Sequence, residues 1–365
     1  MQTPFHDQAL TLPHLPMSLR IAIVGAGAIG GYLGVKLALA GHDITFIARG
    51  VNLQAIAQHG MKLLTDDGEL HARDVKACDI ASASTYDYVL VTLKSHQVAA
   101  VAADIAALCH DDSCIVTMQN GLPWWYFHQL PGEYSGKQLG SLDPQGQLWQ
   151  LLKPERIIGA AVYPAAELIA PGVVRLIEGN RFTLGEPSGE KTERVTQLAQ
   201  AMIGAGFKTP VSNDIRSELW VKLWGNLSFN PVSALTHATL EDIAGFGPSR
   251  ELVSLMMQEA QAVAERTGIQ FKISIDKRIA GAQAVGAHKT SMLQDIEQGK
   301  ALELDALLGS VIELGQIVGL PTPTLKTVHQ LCLLLQQSVL RSGHGLSLTP
   351  QERHDHFDRM DGRRP

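Results

Sequence analysis

Cysteine is scarce in this chain. There are four in 365 residues, Cys78, Cys109, Cys114 and Cys332, and none falls in a CxxC spacing. Such a set suggests neither a disulfide framework nor a zinc site, and a reduced, cytoplasmic setting is the expectation. Cys109 and Cys114 are close, but the first reads as the end of a helix and the second as the start of a strand. No apolar run approaches the ~20 residues that a membrane helix needs, so no membrane partner is expected. The formal net charge is −6 and the pI about 6.1. That lacks the basic excess of a nucleic-acid surface, while small anionic ligands, which respond to local charge, stay open. The first 17 residues, MQTPFHDQALTLPHLPM, lack the basic start and apolar core of a secretory signal. Their three prolines and two histidines suggest a flexible extension over 1–17, with Met17 as a candidate natural start.

What is present is a chain 45% hydrophobic and 18% charged, long enough for two domains with cores. Ser18 to Gly31 reads SLRIAIVGAGAIGG. An apolar run feeds into Gly25-x-Gly27-x-x-Gly30, and residues with helical spacing follow (Ile29, Leu33, Leu37, Ala40). That strand–turn–helix context makes the motif a dinucleotide site. Gly25 serves the tight turn, Gly27 the approach of a pyrophosphate, and Gly30 close helix–strand packing. The helix start adds free N–H groups and a positive dipole end. Gly25, Gly27, Ala28, Ile29 and Gly30 are therefore the expected cofactor contacts. The second strand, Asp43 to Ala48, ends at Arg49, where an NAD site would carry an acid on the ribose. A guanidinium suits a 2′-phosphate, so NADPH is expected over NADH. The bland alternative is a solvated arginine at a strand end.

Strand and helix signals alternate from 18 to about 120, implying a parallel sheet. Tyr86 to Leu93 and Cys114 to Met118 read as buried strands, Ser95 to Leu108 as helical, and Met61 to Lys76 as a hairpin-like excursion around Asp66-Asp67-Gly68. Residues 122–153 look like an inserted segment bearing Trp124, Trp125, Tyr126, Phe127 and Trp149. Strand character resumes at Arg156 to Val162 and Gly172 to Glu178. Lys191 to Ala205 is helical, and Lys208 to Ser212 is a last short strand. From Asp214 apolar residues recur at helical spacing: Leu219 to Leu235, Arg250 to Thr267, Thr290 to Val318, and Leu325 to Leu340 after Pro321 and Pro323. The expected organisation is an α/β Rossmann-like dinucleotide-binding domain over 18–213, an all-α domain over 214–342 and a polar tail over 343–365. A ligand cleft belongs between the two domains.

The chemistry-bearing candidates are three. In ELWVKLWGNLSFNP, Lys222, Asn226 and Asn230 recur every four residues, forming one polar stripe on a helix otherwise rich in Trp, Leu and Phe. A solvated stripe is one reading. Buried Lys and Asn that need polar partners are the other, and a polar substrate would supply them. Ser291-Met-Leu-Gln-Asp295 and Glu303-Leu-Asp305 form the second, for which a helix cap at Ser291 and a charged helix face are the bland reading. Lys94-Ser-His-Gln97 and Asn120-Gly121 form the third, at strand ends that face the ligand crevice of an open α/β sheet.

These pieces together resemble the ketopantoate reductase family. GAGAIGG, TLKSHQ at Thr92–Gln97, QNG at Gln119–Gly121, ELWVKLWGNLSFNP at Glu218–Pro231 and SMLQDIEQGKALELD at Ser291–Asp305 occur in the family's order over residues 18 to about 340. The resemblance implies a Rossmann domain plus a helical domain like that of 6-phosphogluconate dehydrogenase, and NADPH-dependent reduction of ketopantoate to pantoate for coenzyme A biosynthesis. It implies Lys222 as the catalytic lysine and Glu303 as its partner carboxylate. Asn226, Asn230 and Ser291 would bind the 2-oxo acid, Asn120 would sit between nicotinamide and substrate, and Arg49 and Lys94 would face the cofactor's phosphate end. No metal is implied, and a homodimer is one expected assembly. Two other functions stand beside it: a related reductase of another 2-oxo acid, and a non-catalytic NADP-binding sensor. The segment 122–153 is more aromatic than the family pattern. It is expected to form a lid or pocket wall beside Asn120, or else to pack on the surface.

Overall fold

The structure, a computed structural model, describes residues 18–346. The expected extension over 1–17 and residues 347–365 of the expected tail lie outside the described residues. The described strands all precede Asp214: β1 (Arg20–Val24), β2 (Asp43–Ile47), β3 (Met61–Thr65), β4 (Gly68–Ala72), β5 (Lys76–Cys78), β6 (Tyr86–Val91), β7 (Cys109–Thr117), β8 (Ile157–Val162), β9 (Ala165–Ala170), β10 (Val173–Glu178) and β11 (Phe182–Gly185). Helices α1 (Ala28–Leu39), α2 (Gly50–His59), α3 (Ser95–Val98), α4 (Ala102–Ala107), α5 (Gln147–Leu152) and α6 (Glu193–Gly204) alternate with them.

Seven strands form one sheet in the order β11-β8-β7-β6-β1-β2-β5, parallel except for β11. Central strands such as β1 and β6 are apolar almost throughout, as burial on both faces requires. The chain runs from β1 outward through β2 to β5, then returns to place β6 on the other side of β1. That reversal is the point where open α/β sheets bind ligands beyond the carboxyl ends of their strands. The expected hairpin forms as β3 and β4, and it belongs to a second sheet, β4-β3-β10-β9, assembled with strands about a hundred residues later. Cys109 and Cys114 both lie on β7, so the first is not helical. Lys208 to Ser212 contributes only single bridges, Arg181 to Lys208 and Leu184 to Val211.

From Asp214 the described chain is helical: α7 (Ile215–Thr236), α8 (Leu240–Gly245), α9 (Gly247–Arg266), α10 (Ile275–Ala284), α11 (Ser291–Glu297), α12 (Ser310–Ile317) and α13 (Pro323–Ser342). Asp214 caps α7 by accepting from the Ser217 N–H. Leu219, Leu223 and Leu227 make the buried stripe of α7, flanked by fully buried Trp220 and Trp224. Each such side chain contributes on the order of 1.5–3 kcal/mol of burial. Both indole N–H groups are satisfied, Trp220 by the Tyr126 hydroxyl and Trp224 by the Met257 carbonyl, each at 2.8 Å. The continuous helix expected over Thr290 to Val318 is instead broken. Gly299, at φ +67°, ends α11, and an irregular stretch leads to one turn of π-helix, Asp305–Gly309, running into α12. A Gly at the C-terminal break is the usual helix stop.

The aromatic insert is a wedge in the core. Trp125, Tyr126 and Phe127 are fully buried and Trp124 nearly so. Tyr126 and Phe127 pack with the helical core, Trp124 and Trp125 with the core under the sheet. Trp125 donates to the Thr117 hydroxyl at 2.8 Å. The lid expectation is thereby corrected, because rings this deeply packed cannot open over a site. Arg216, in the first turn of α7, fixes the wedge. Its guanidinium donates to the Tyr126 and Pro187 carbonyls at 2.7 Å each and to the His128 carbonyl.

Candidate active site

The glycine loop lies where β1 meets α1. Gly25, at φ +104°, makes the turn, and a Cβ at Gly30 would stand 2.1 Å from the Gly25 carbonyl oxygen. Gly30 is thus a packing residue under Thr92, whose hydroxyl donates to the Gly25 carbonyl at 2.6 Å. Gly27, Ala28 and Ile29 are partly exposed at the start of α1, and Gly27 makes no side-chain cap. Open space lies beyond the Gly27 Cα, so the free N–H groups of that turn have room for a pyrophosphate. A cleft of about 390 Å³ runs alongside, lined by Gly25, Gly27, Ala48, Arg49, Asn52 and Gln97 among others. Arg49 is exposed and makes no salt bridge with the described residues. Asn52 joins the loop to the second sheet, donating to the Ala26 carbonyl at 2.7 Å and accepting from the Gly172 N–H at 2.8 Å. These features fit a dinucleotide with its adenosine end at Arg49.

A polar cluster stands past the carboxyl ends of β6 and β7. The Lys222 ammonium donates to Asn120 Oδ1 at 2.6 Å. Asn120 Nδ2 lies 3.3 Å from Glu303 Oε2, and the Ser95 N–H donates to Glu303 Oε1 at 3.0 Å. Four separated stretches meet here: the ends of β6 and β7, the middle of α7, and Glu303 two residues before the π turn. Burial pushes the Lys222 pKa down to about 8, and Glu303 partly opposes that by its charge. A lysine so placed exchanges its proton near neutral pH. Asn230 is buried, and its amide stands 3.5 Å from the Ser291 hydroxyl, a loose contact. Asn226 is partly exposed on the same stripe and makes no side-chain hydrogen bond with the described residues.

Ser291 and Lys94 are each placed by a neighbour. Ser291 is not the helix cap. Thr290 is, accepting from the Leu293 N–H at 3.2 Å, and this leaves the exposed Ser291 hydroxyl facing Asn230. Lys94 does not line the nucleotide cleft. Its ammonium meets Asp295 Oδ2 on α11 at 2.5 Å. Burial raises the Asp295 pKa while Lys94 lowers it, and the pair ties the β6 end to the helical half. Asp295 was legible only as one acid on a helix face. The Ser95 N–H leaves no signal in the sequence, since every residue type except proline carries a backbone donor. Trp124 lines a small cavity of about 70 Å³ together with Glu303.

The family profile described as "Ketopantoate reductase PanE/ApbA" matches residues 21–189, and "Ketopantoate reductase PanE/ApbA C terminal" matches residues 214–336. A 2-dehydropantoate 2-reductase of Mesorhizobium japonicum is 52% identical over 311 residues, covering 85% of this chain and 95% of the relative. The crystal structure of 2-dehydropantoate 2-reductase from Geobacter metallireducens GS-15 superposes with a TM-score of 0.76 at 30% identity, covering 88% of this chain and 100% of that one. D-mandelate dehydrogenase, solved with NADH and anilino(oxo)acetate, shares the fold at a TM-score of 0.75 and 21% identity, over 87% of this chain and 99% of that one.

Proposed function

The chain belongs to the ketopantoate reductase family, and from that premise we propose that it reduces the 2-oxo group of ketopantoate to pantoate with NADPH. It is a pyridine-nucleotide-dependent oxidoreductase, and Arg49 at the end of β2 supports the phosphorylated cofactor. The observation that carries the reading is the contact of Lys222 with Asn120 at 2.6 Å, beside Glu303 and at the carboxyl edge of the sheet. The four cysteines are all free, and no helix among the described residues is long and apolar enough to cross a membrane.

The cofactor, when bound, supplies the hydride that adds to C2 of the 2-oxo acid. Negative charge then grows on the carbonyl oxygen. Lys222 stabilises that charge and gives the oxygen its proton. With its pKa lowered to about 8, it is a stronger acid than an ordinary lysine and still charged at neutral pH. Glu303 favours the charged lysine and anchors it through Asn120. Asn226 and Asn230 offer amide donors and acceptors to the carboxylate and hydroxyl of the substrate, and Ser291 adds a hydroxyl. The burial of Lys222 makes its contacts stronger than they would be in water.

The test is NADPH oxidation over a panel of 2-oxo acids that includes ketopantoate, repeated with NADH. Ketopantoate is expected to give the highest kcat/KM, with NADPH preferred. Another 2-oxo acid far ahead would replace the substrate. Cofactor binding with no turnover on any would point to a sensor.

A further inference from the structure

Asn120 meets Lys222 and Glu303 because its backbone is seated, and the seat is the next residue. Gly121 has φ +91° and lies directly on the π turn. A Cβ there would stand 2.1 Å from the Ala306 carbonyl oxygen and 2.8 Å from the Ala306 Cβ. The Leu122 N–H donates to that same carbonyl at 3.1 Å. In an α-helix the Ala306 carbonyl would accept from the N–H of residue 310. Here the Ser310 N–H goes to Asp305 instead. The Ala306 oxygen is thus left for the Leu122 N–H and for the Ser310 hydroxyl, 2.8 Å away. Single π turns of this kind occur often at functional sites. Glu303 is held to the same turn, its carbonyl accepting from the Leu307 N–H at 3.1 Å.

Resting on the reading of this site as a 2-oxo acid reductase centre, we infer that Gly121 and Ala306 are positioning residues, whose backbone-to-backbone seat sets Asn120 and Glu303 at the spacing where both act on Lys222. The seat has no flexible side chain in it. One half belongs to the end of β7 and the other to the helical half, so it registers the two against each other where the chemistry occurs. Asn120 is one residue from the seat and Glu303 three. A side chain at position 121 would need both the left-handed backbone and the space now filled by Ala306, so it would lift Asn120 away. A displacement of about 1 Å at a reacting group typically costs on the order of 10² in rate. The lysine would feel it directly. Asn120 and Glu303 face Lys222 from β7 and the π turn. On its own helix lie Glu218, held by Tyr163 and Arg181, and Gly225, against which Arg278 packs. The Lys94–Asp295 pair closes the α11 side. Losing Asn120 and Glu303 removes the acceptor and the anion that favour the charged amine.

The experiment compares the full chain with Gly121→Ala, and with Ala306→Ser as a milder push on the same seat. Active sites are counted by NADPH titration, so that rates refer to folded protein. Gly121→Ala is expected to lower kcat by about 10², with KM and NADPH affinity within about threefold, and to move the alkaline limb of the kcat profile to lower pH. Ala306→Ser is expected to shift both quantities the same way by less, and it decides alone if Gly121→Ala does not fold. Folded variants with wild-type kcat and an unmoved limb would overturn the inference, even if their melting temperatures fell. A wild-type protein inactive on every 2-oxo acid would defeat the functional reading instead. The seat is then tested by the pH dependence of Lys222 acylation in wild type and Gly121→Ala, read by peptide mass. Identical curves would sink it.

Discussion

Replacing Lys222 with methionine keeps the volume and removes the charge, and it separates two effects. The first is on stability. Burial holds the ammonium's pKa at about 8 rather than 10.5. At about 1.36 kcal/mol per pH unit, keeping it charged in the fold costs at most ~3 kcal/mol. In the unfolded chain the lysine stays protonated to about pH 10.4. Between about pH 8 and that value the unfolded state therefore binds more protons, and wild-type stability rises with pH across the window. Lys222→Met lacks that rise. Urea unfolding at about pH 7 and about pH 10 should show the difference between variant and wild type moving in favour of wild type by up to ~3 kcal/mol. The second effect is on rate. The variant should lose about 10² to 10⁴ in kcat. Wild-type kcat should fall as pH rises through about 8, because the neutral amine neither stabilises the oxyanion nor supplies its proton. A wild-type profile flat from about pH 7 to about pH 10, or a stability difference independent of pH, refutes the reasoning about the buried charge. Near-wild-type kcat in Lys222→Met refutes the mechanism.

Other outcomes follow from the same structure. Arg49→Asp should cut kcat/KM for NADPH far more than for NADH, through repulsion of the 2′-phosphate; an unchanged ratio of the two would show that Arg49 does not read the cofactor. Trp125→Ala should cost about 3–5 kcal/mol of stability in denaturant titration, while its folded fraction keeps wild-type kinetics. Altered substrate preference at unchanged stability would restore the lid. Glu303→Gln should lower kcat, and combined with Lys222→Met the losses should be less than additive. Additive losses in steady-state kinetics would mean that the two residues act separately.

Much of this arrangement is legible in the sequence, for identifiable reasons. The glycine loop and β1 are written in local pattern: apolar run, glycine spacing, apolar helix. The Lys222, Asn226 and Asn230 stripe is visible because four-residue spacing maps onto one helix face. Long-range assembly is not visible. The Met61 to Lys76 hairpin carries no mark of the later strands that join it. The break before Glu303 is masked in the sequence, because Gly299 sits inside an otherwise continuous apolar periodicity. The depth of the aromatic insert is hidden for a related reason. Four adjacent aromatic residues have no helical or strand period, and only the surrounding tertiary packing shows that two cores share them. The resemblance points Lys94 toward the cofactor's phosphate end, while its contact with Asp295, on a helix two hundred residues away, carries no mark in the sequence.

Arg216 has a bearing on how the chain comes to be folded during synthesis. Its donors end on carbonyls of Tyr126 and His128, made about 90 residues earlier, and of Pro187, made about 30 earlier. Trp220, from the same helix, caps the Tyr126 hydroxyl. While the ribosome is still short of α7, the sheet has its strands but Tyr126 and Phe127 lack the helical core they pack into. Those rings are then open to water or to a chaperone's apolar surface. Their full burial waits for α7 and for the later helices of the same core, where the Thr267 hydroxyl also meets the Tyr126 hydroxyl, so the part that holds the cofactor loop is completed only with the part that holds the lysine.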